Sequence, residues 1–147
     1  MTAEELLQKY PMEGHPENGL FLERHYPHTG PGRAASGGIH FYVAPGDRTV
    51  FHRIDCDEWW AFHAGADLDV WVVDPEGALT IHTLGEGGAL LAFVPRGCIF
   101  AARHGDMARG GSFVSNITVP RYSTDSLELF TKEQMLALCP AVAAFWE

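Results

Sequence analysis

The stretch GDRTVFHRIDCDEWWAFHAG, from Gly46 to Gly65, decides the fold class of this chain. It predicts two β-strands joined by a short acidic turn at residues 55–57. Side chains of a strand alternate between its two faces, so each strand presents one set of side chains to the protein interior. His52 on the first strand and Glu58 on the second belong to these sets. We expect them to face one cavity and to form a catalytic pair.

Two aromatic residues follow Glu58 on the second strand. Trp60 and Phe62 occur at two-residue spacing and therefore share the face of Glu58. Because aromatic side chains bind the flat or apolar side of a ligand, both are candidate ligand-binding residues, with an ordinary hydrophobic core as the alternative. Glu23, on the first predicted strand, is a further ligand-binding candidate, with a surface position as its alternative.

The rest of the chain alternates between short extended segments and turns. Capping boxes at Thr2-x-x-Glu5 and Thr131-x-x-Gln134 predict one short helix near each terminus. Strands are predicted at residues 20–26, 38–43, 49–54, 58–63, 68–73, 78–84, 90–94, 99–103, 112–119 and 126–130. Short strands bounded by Gly and Pro are typical of an all-β sandwich or barrel.

Composition excludes several classes of function. The 147 residues fit one domain with a single core. Ten basic and nineteen acidic residues give a net charge of −9, and the basic residues are scattered, so we expect neither nucleic acid nor a membrane as partner. No apolar run is long enough for a membrane span, and the first residues lack the basic start of a signal peptide. Three cysteines without C-x-x-C spacing favour a cytoplasmic location.

The spacing of the central stretch resembles the first motif of the cupin family. It is Gly46-x5-His52-x-Ile54-x3-Glu58-x6-Gly65, and cupins carry a second His at the position of Ile54. Gly88 and Pro95-Arg96-Gly97 resemble the frame of the second cupin motif, with one extra residue before the Pro. Phe100 stands where that motif has its His.

A closer similarity is to the small cupin subfamily Cupin_5, from about residue 6 to residue 129. We interpret His15-Pro16-Glu17, at the start of this similarity, as a structural turn. The shared motifs occur in order as His15-Pro16-Glu17-x-Gly19-x-Phe21-x-Glu23, Pro45-Gly46, His52-Arg53-x-Asp55-x-Asp57-Glu58-x-Trp60-x-Phe62-x-Ala64-Gly65, Asp74-Pro75, Pro95-x-Gly97, Ala101-Ala102-Arg103 and Thr118-Val119.

This resemblance implies a double-stranded β-helix, a jelly-roll barrel with short terminal helices that holds a small ligand in its mouth. It also implies a homodimer. His40 stands where the subfamily tends to have Tyr, and Phe100 stands where it tends to have Gln. We therefore include both among the ligand-binding residues and expect a ligand that differs from that of relatives.

The resemblance further implies a divalent metal, which cupins commonly hold with three His and one Glu. Only His52 and Glu58 remain here, because Ile54 and Phe100 have no lone pair to donate. His40 is the best replacement, since its strand is expected to neighbour that of His52; the other candidates are His25, His63 and His104.

The strand register leaves the role of His40 open. A two-residue loop at residues 45–46 sets Ile39 opposite His52, whereas a bulge brings His40 there. A metal held by His52, Glu58 and His40, and a site without metal, are therefore both retained.

Three classes of function follow. The first is a cupin that binds a small polar, sugar-like or aromatic metabolite and acts as an isomerase, epimerase, lyase or cyclase through His52 and Glu58. The second is a metal-dependent cupin of the dioxygenase type. The third is a binding module without chemistry.

Overall fold

The computed structural model describes residues 1–24, 28–104 and 110–147. Its two α-helices are α1 (Ala3–Lys9) and α2 (Lys132–Leu138), and 3-10 helices span Thr124–Ser126 and Pro140–Trp146. The strands are β1 (Glu13–Gly14), β2 (Leu20–Arg24), β3 (Gly37–Val43), β4 (His52–Arg53), β5 (Asp57–Gly65), β6 (Leu68–Val73), β7 (Leu79–Leu84), β8 (Leu91–Val94), β9 (Ile99–His104), β10 (Ser112–Val119) and β11 (Glu128–Leu129).

The strands form two antiparallel sheets. The first has the order β1-β2-β3-β10-β5-β8, and the second has the order β11-β4-β9-β6-β7. The all-β fold class predicted from the sequence is confirmed. The short strand β1 was not predicted, and the end of the first predicted strand, at residues 25–26, lies outside the described residues.

The main core lies between the inner faces of the two sheets. Alternate residues of the strands supply it, as the period of two requires: Phe41 and Val43 of β3 are buried, and they pack in one cluster with Val70 and Val72 of β6. Trp60 of β5 lies in the same cluster and is 1% exposed.

The terminal helices cover the outer faces of the sheets. Capping boxes start both helices, at Thr2 and Thr131, as predicted. Helix α1 packs on Tyr42 and Phe113 of the first sheet. Helix α2 and the last 3-10 helix bury Trp71 and neighbouring side chains of the second sheet. Among the described residues no helix has the length and apolar character needed to cross a membrane.

One predicted neighbour relation is wrong. The strand of His40, β3, pairs with β2 and β10, whereas the strand of His52, β4, pairs with β9 and β11. The chain crosses from the first sheet to the second after the turn at residues 45–46, so this turn does not close a hairpin. The strand predicted at residues 49–54 is correspondingly reduced to His52 and Arg53.

Candidate functional site

A cavity of about 950 Å³ opens at one end of the space between the sheets. His52 and Glu58 both line it, together with Glu17, Asn116 and other residues of both sheets and of the loops before β2 and after β10. The volume lies in the range usual for small-molecule sites. The two members of the predicted pair therefore face a common space.

The loop between β1 and β2 brings Glu17 into this cavity. The N–H of His15 donates to the carbonyl of Gly19 at 3.0 Å, which closes the loop. Gly19 has a φ of +88°, and a Cβ there would lie 2.6 Å from the ring of Phe41. The loop geometry therefore requires glycine at this position.

Two hydrogen bonds fasten the same loop to the segment before β4. The N–H of Val50 donates to the carbonyl of Glu17 at 2.7 Å, and Nδ2 of Asn18 donates to the carbonyl of Arg48 at 2.7 Å. Because His52 lies two residues after Val50, these bonds place Glu17 against the imidazole.

Both ring nitrogens of His52 have partners. Nδ1 lies 2.8 Å from the carbonyl oxygen of Val50 and donates its proton there. Nε2 lies 2.6 Å from Oε2 of Glu17, and the His52 and Glu17 side chains are 3% and 9% exposed. Since Nδ1 holds one proton, a hydrogen bond at Nε2 requires a second, so a proton is shared between His52 and Glu17.

The local charges favour the protonated imidazole. Burial lowers the pKa of His52, but the Glu17 carboxylate and its hydrogen bond, with a smaller contribution from Glu58, raise this pKa above the ordinary imidazole value. The pair is therefore an imidazolium hydrogen-bonded to a carboxylate in a largely buried position.

Glu58 is in its neutral, protonated form, in contrast to the carboxylate of Glu17. It lies on β5, between Thr118 of β10 and Val94 of β8, and is 7% exposed. Burial and the negative charge of Glu17 raise its pKa to about 8, while His52 lowers it. Glu58 is therefore a neutral carboxylic acid near neutral pH, in the same cavity as the Glu17 carboxylate.

Neutral polar groups surround these residues. Burial, and to a smaller extent the nearby Glu17 and Glu58, raise the pKa of Tyr122 to about 12, so its phenol keeps its proton. Burial also lowers the pKa of His15, partly offset by Glu17. His15 Nδ1 accepts a hydrogen bond from the Glu17 N–H at 3.2 Å, so the ring supports the loop.

The rim of the cavity carries ion pairs. Arg121 Nη2 lies 2.9 Å from Glu23 Oε1, and Arg33 Nη1 lies 2.8 Å from Asp55 Oδ2. Glu23 thus lines the cavity, as expected, but at its exposed edge.

Three predicted ligand-binding aromatics lie outside the cavity lining. Trp60 and Phe100 are each 1% exposed in the main core, and Phe62 packs against that core. The ring centroid of Phe100 is 4.2 Å from that of His52, so Phe100 contacts the imidazole from the core side. These positions match the alternative interpretation, an ordinary core.

His40 is on the opposite face of the first sheet. Its Nδ1 is 2.8 Å from Oγ of Ser115, and its ring packs against Tyr10 and Phe113 under helix α1. The prediction that His40 joins His52 as a ligand is wrong, because alternation turns its side chain away from the interior and its strand belongs to the other sheet.

The other histidine candidates do not replace it. His63 Nε2 bonds to the same Ser115 hydroxyl at 2.6 Å, on the outer face. His104 is buried and bonds to Ser112 Oγ at 2.9 Å, away from the cavity lining. His25 lies outside the described residues.

The described residues do not fit the metal set that the cupin resemblance implies. Ile54 and Phe100 place hydrocarbon at two ligand positions, and Glu17 occupies the lone-pair direction of His52 Nε2. Across residues 1–24, 28–104 and 110–147, no three His, Cys, Asp or Glu side chains are arranged to hold an ion.

The raised pKa of Glu58 predicts a loss of stability at alkaline pH. The unfolded chain loses this proton near pH 4.3, whereas the folded chain keeps it until about pH 8, so unfolding becomes easier as pH rises between these values. His52, whose folded pKa is also raised, contributes in the same direction above pH 6.5.

We therefore expect the wild-type free energy of unfolding to fall by about 2 kcal/mol more than that of Glu58→Gln between pH 6 and pH 8. Urea unfolding at the two pH values measures this difference. Glu76→Gln, in an exposed turn, is the control and should follow the wild type. Equal losses in wild type and Glu58→Gln would contradict the assignment of a buried neutral acid.

Sequence reasoning missed four residues of the site, namely Glu17, His15, Asn116 and Tyr122. A signal existed for Glu17 and His15, since two ionisable side chains flank Pro16 within the first Cupin_5 motif. A signal also existed for Asn116, which alternates with Val114 and Thr118 and is therefore a polar residue on an inward face. We know of no such signal for Tyr122.

Comparisons with known proteins agree with this architecture. The family model Cupin_5, described as "Cupin superfamily (DUF985)", matches residues 4–130. A crystal structure of a protein from Shewanella oneidensis is 33% identical, with a TM-score of 0.86 over 98% of this chain and 94% of that chain. A hypothetical protein from Leishmania major is 28% identical, with a TM-score of 0.82 over 96% of this chain and 94% of that chain.

More distant structures share the fold alone. Oxalate decarboxylase from Bacillus subtilis is 16% identical, with a TM-score of 0.62 over 89% of this chain and 34% of that chain. A comparison with curated proteins finds no match. The family model spans most of the sequence, and the fold agrees with that of the similar solved structures: this chain belongs to the Cupin_5 family of the cupin superfamily.

Proposed function

We propose that this cupin binds a small polar organic molecule in its cavity and moves a proton on it, as an isomerase, epimerase, lyase or cyclase does. The Glu17–His52 pair is the proton acceptor, and Glu58 is the proton donor. This adds Glu17 to the roles expected from the sequence, in which His52 is the general base or acid and Glu58 is its partner or the second acid–base group.

The observation that carries the proposal is the different state of two carboxyl groups in one cavity. Glu17 is hydrogen-bonded to His52 at 2.6 Å, whereas Glu58 has its pKa raised to about 8. A carboxylate accepts a proton, and a neutral carboxylic acid donates one. Two such groups facing the same ligand supply both halves of acid–base catalysis at neutral pH.

The simplest step is enolisation. The Glu17 carboxylate takes a proton from the carbon beside a ligand carbonyl, and the electron pair of the C–H bond moves to form a C=C bond. The carbonyl oxygen receives a proton from Glu58. Glu17 then delivers its proton to the former carbonyl carbon of a hydroxycarbonyl ligand, the hydroxyl on the first carbon gives its proton to Glu58 and becomes the new carbonyl, and the isomer is released. His52 stabilises the Glu17 charge and positions it between steps.

The experiment is solvent-deuterium incorporation followed by proton NMR. Enolisable hydroxyketones, hydroxyaldehydes, keto acids and 1,3-dicarbonyl compounds are incubated with the protein in D2O. We expect enzyme-dependent exchange in at least one class, and a loss of about 100-fold or more in His52→Ala. Circular dichroism checks that the variant is folded.

A non-catalytic metabolite-binding module gives a different result. Compounds of the panel that raise the melting temperature but show no exchange in any class would overturn the proposal in favour of that module. Exchange that persists unchanged in folded His52→Ala would overturn the assigned residues. The homodimer and the cytoplasmic location stay predictions.

A further inference from the structure

Four buried polar atoms, belonging to three residues that line the cavity, make no hydrogen bond within the described residues. They are Oδ1 and Nδ2 of Asn116, Oε2 of Glu58 and Oη of Tyr122, and all three residues line the cavity. Asn116 is 3% exposed. A buried polar group without a partner costs about 1–3 kcal/mol, so a ligand that satisfies these atoms gains correspondingly in affinity.

Their chemistry limits what the ligand presents. The Asn116 amide offers one acceptor and one donor side by side, in either orientation of the amide. Tyr122 and Glu58 are both protonated near neutral pH and donate a proton as well as accepting one. A carbonyl oxygen only accepts, and a hydroxyl group both donates and accepts, so a ligand that carries both matches the wall.

The charge of the cavity disfavours an anionic ligand. Both arginines that line it within the described part of the chain are ion-paired, Arg33 with Asp55 and Arg121 with Glu23. Glu17 and His52 form an ion pair whose charges balance, so the pair adds no net positive charge to the cavity. A phosphate or carboxylate on the ligand would have to share an arginine with Asp55 or Glu23, or approach the Glu17 carboxylate, so its charge would be only partly compensated.

We propose that the ligand is a neutral polyhydroxylated carbonyl compound, that is, a free ketose or aldose. Its carbonyl and the adjacent hydroxyl form hydrogen bonds with Asn116, Tyr122 and Glu58. This inference names the ligand class of the proposed function and rests on that proposal for the reaction. Enolisation of a ligand that carries a hydroxyl beside its carbonyl gives an enediol. Phe21, Ile39 and Ile54, which also line the cavity, offer apolar surface to the C–H face of such a compound.

Binding is tested separately from turnover by saturation-transfer NMR. Neutral ketoses and aldoses of four to six carbons are titrated, and D-xylulose is compared with two relatives. Xylitol lacks the carbonyl, and D-xylulose 5-phosphate adds an anion. We expect the neutral carbonyl sugars to bind, and xylulose to bind at least tenfold more tightly than either relative.

The wall residues are tested with matched variants. Asn116→Leu removes both amide partners and should weaken sugar binding at least tenfold, whereas Ser115→Ala, the neighbouring residue on the outer face, should leave it unchanged. Tyr122→Phe removes one oxygen only and serves as the second variant if Asn116→Leu does not fold; it should weaken binding about fivefold or more.

The outcomes separate this inference from the proposed function. Sugar binding without deuterium exchange supports the ligand class and overturns the catalytic role. Exchange in a keto acid, with no binding of any neutral sugar, supports catalysis and overturns the ligand class. Phosphorylated xylulose or xylitol binding as tightly as xylulose, or unchanged binding in both wall variants, also overturns the ligand class.

Discussion

Replacing Glu17 with glutamine is expected to lower the pKa of His52 below the ordinary imidazole value and to stop proton transfer. In the wild type, burial lowers this pKa, and the Glu17 carboxylate with its hydrogen bond, together with Glu58 and the Val50 carbonyl, more than compensates. The amide keeps the shape of Glu17 but carries no charge, so the effect of burial prevails. The same change removes the proton acceptor, and the exchange rate should fall by about 100-fold or more.

Two measurements check this expectation. NMR titration of the His52 ring gives its pKa without any knowledge of the ligand. Deuterium exchange, on whichever compound the wild type exchanges, gives the catalytic effect. Glu86→Gln, an exposed glutamate in the turn after β7, should change neither quantity. An unchanged pKa of His52 in Glu17→Gln would show that the two side chains are not coupled as described.

Replacing Trp60 with alanine is expected to destabilise the fold by about 3–5 kcal/mol. Trp60 is 1% exposed and packs edge-on against Phe41 at 6.1 Å and Phe100 at 6.3 Å between ring centroids. Removal of the indole leaves a cavity between the sheets that the strands close only in part. Because Phe100 also contacts His52, the change should disturb the site as well.

The neighbouring tryptophan is the matched control. Trp59 precedes Trp60 on β5, so its side chain points to the outer face, where it is 39% exposed and packs on Phe93. We expect Trp59→Ala to cost less than half as much as Trp60→Ala, because part of its ring is already in water. Urea unfolding gives both values. Similar losses would contradict the assignment of inner and outer faces.

The strand positions were predictable because their signals are local. Turn residues such as Pro45-Gly46 and Asp74-Pro75, and the apolar segments between them, mark where strands begin and end. The helix starts at Thr2 and Thr131 were predictable for the same reason, since a capping box involves residues only three apart. Among the described strands, β1, which was not predicted, and β4 and β11, each shortened to two residues, are the ones that differ appreciably.

The error over His40 shows where local signals end. Alternation within β3 sets the outward direction of its side chain, but which strands lie beside β3 is decided at long range: one of its two neighbours, β10, is more than seventy residues away. The short turn at residues 45–46 predicts a hairpin, but the chain crosses from the first sheet to the second sheet there. The alternation predicted within β3 is correct, whereas the prediction that β3 lies beside the strand of His52 is wrong.

The sequence by itself determined an all-β fold with His52 and Glu58 on inward strand faces, because alternation and turn chemistry act over a few residues, and the cupin resemblance came from its ordered motifs. Only the tertiary structure decided that Glu17, not His40, meets His52. That contact depends on the β1–β2 loop, fastened at Val50 by a hydrogen bond of 2.7 Å. Such a contact joins segments distant in sequence, and its free energy exists only once both sheets have packed.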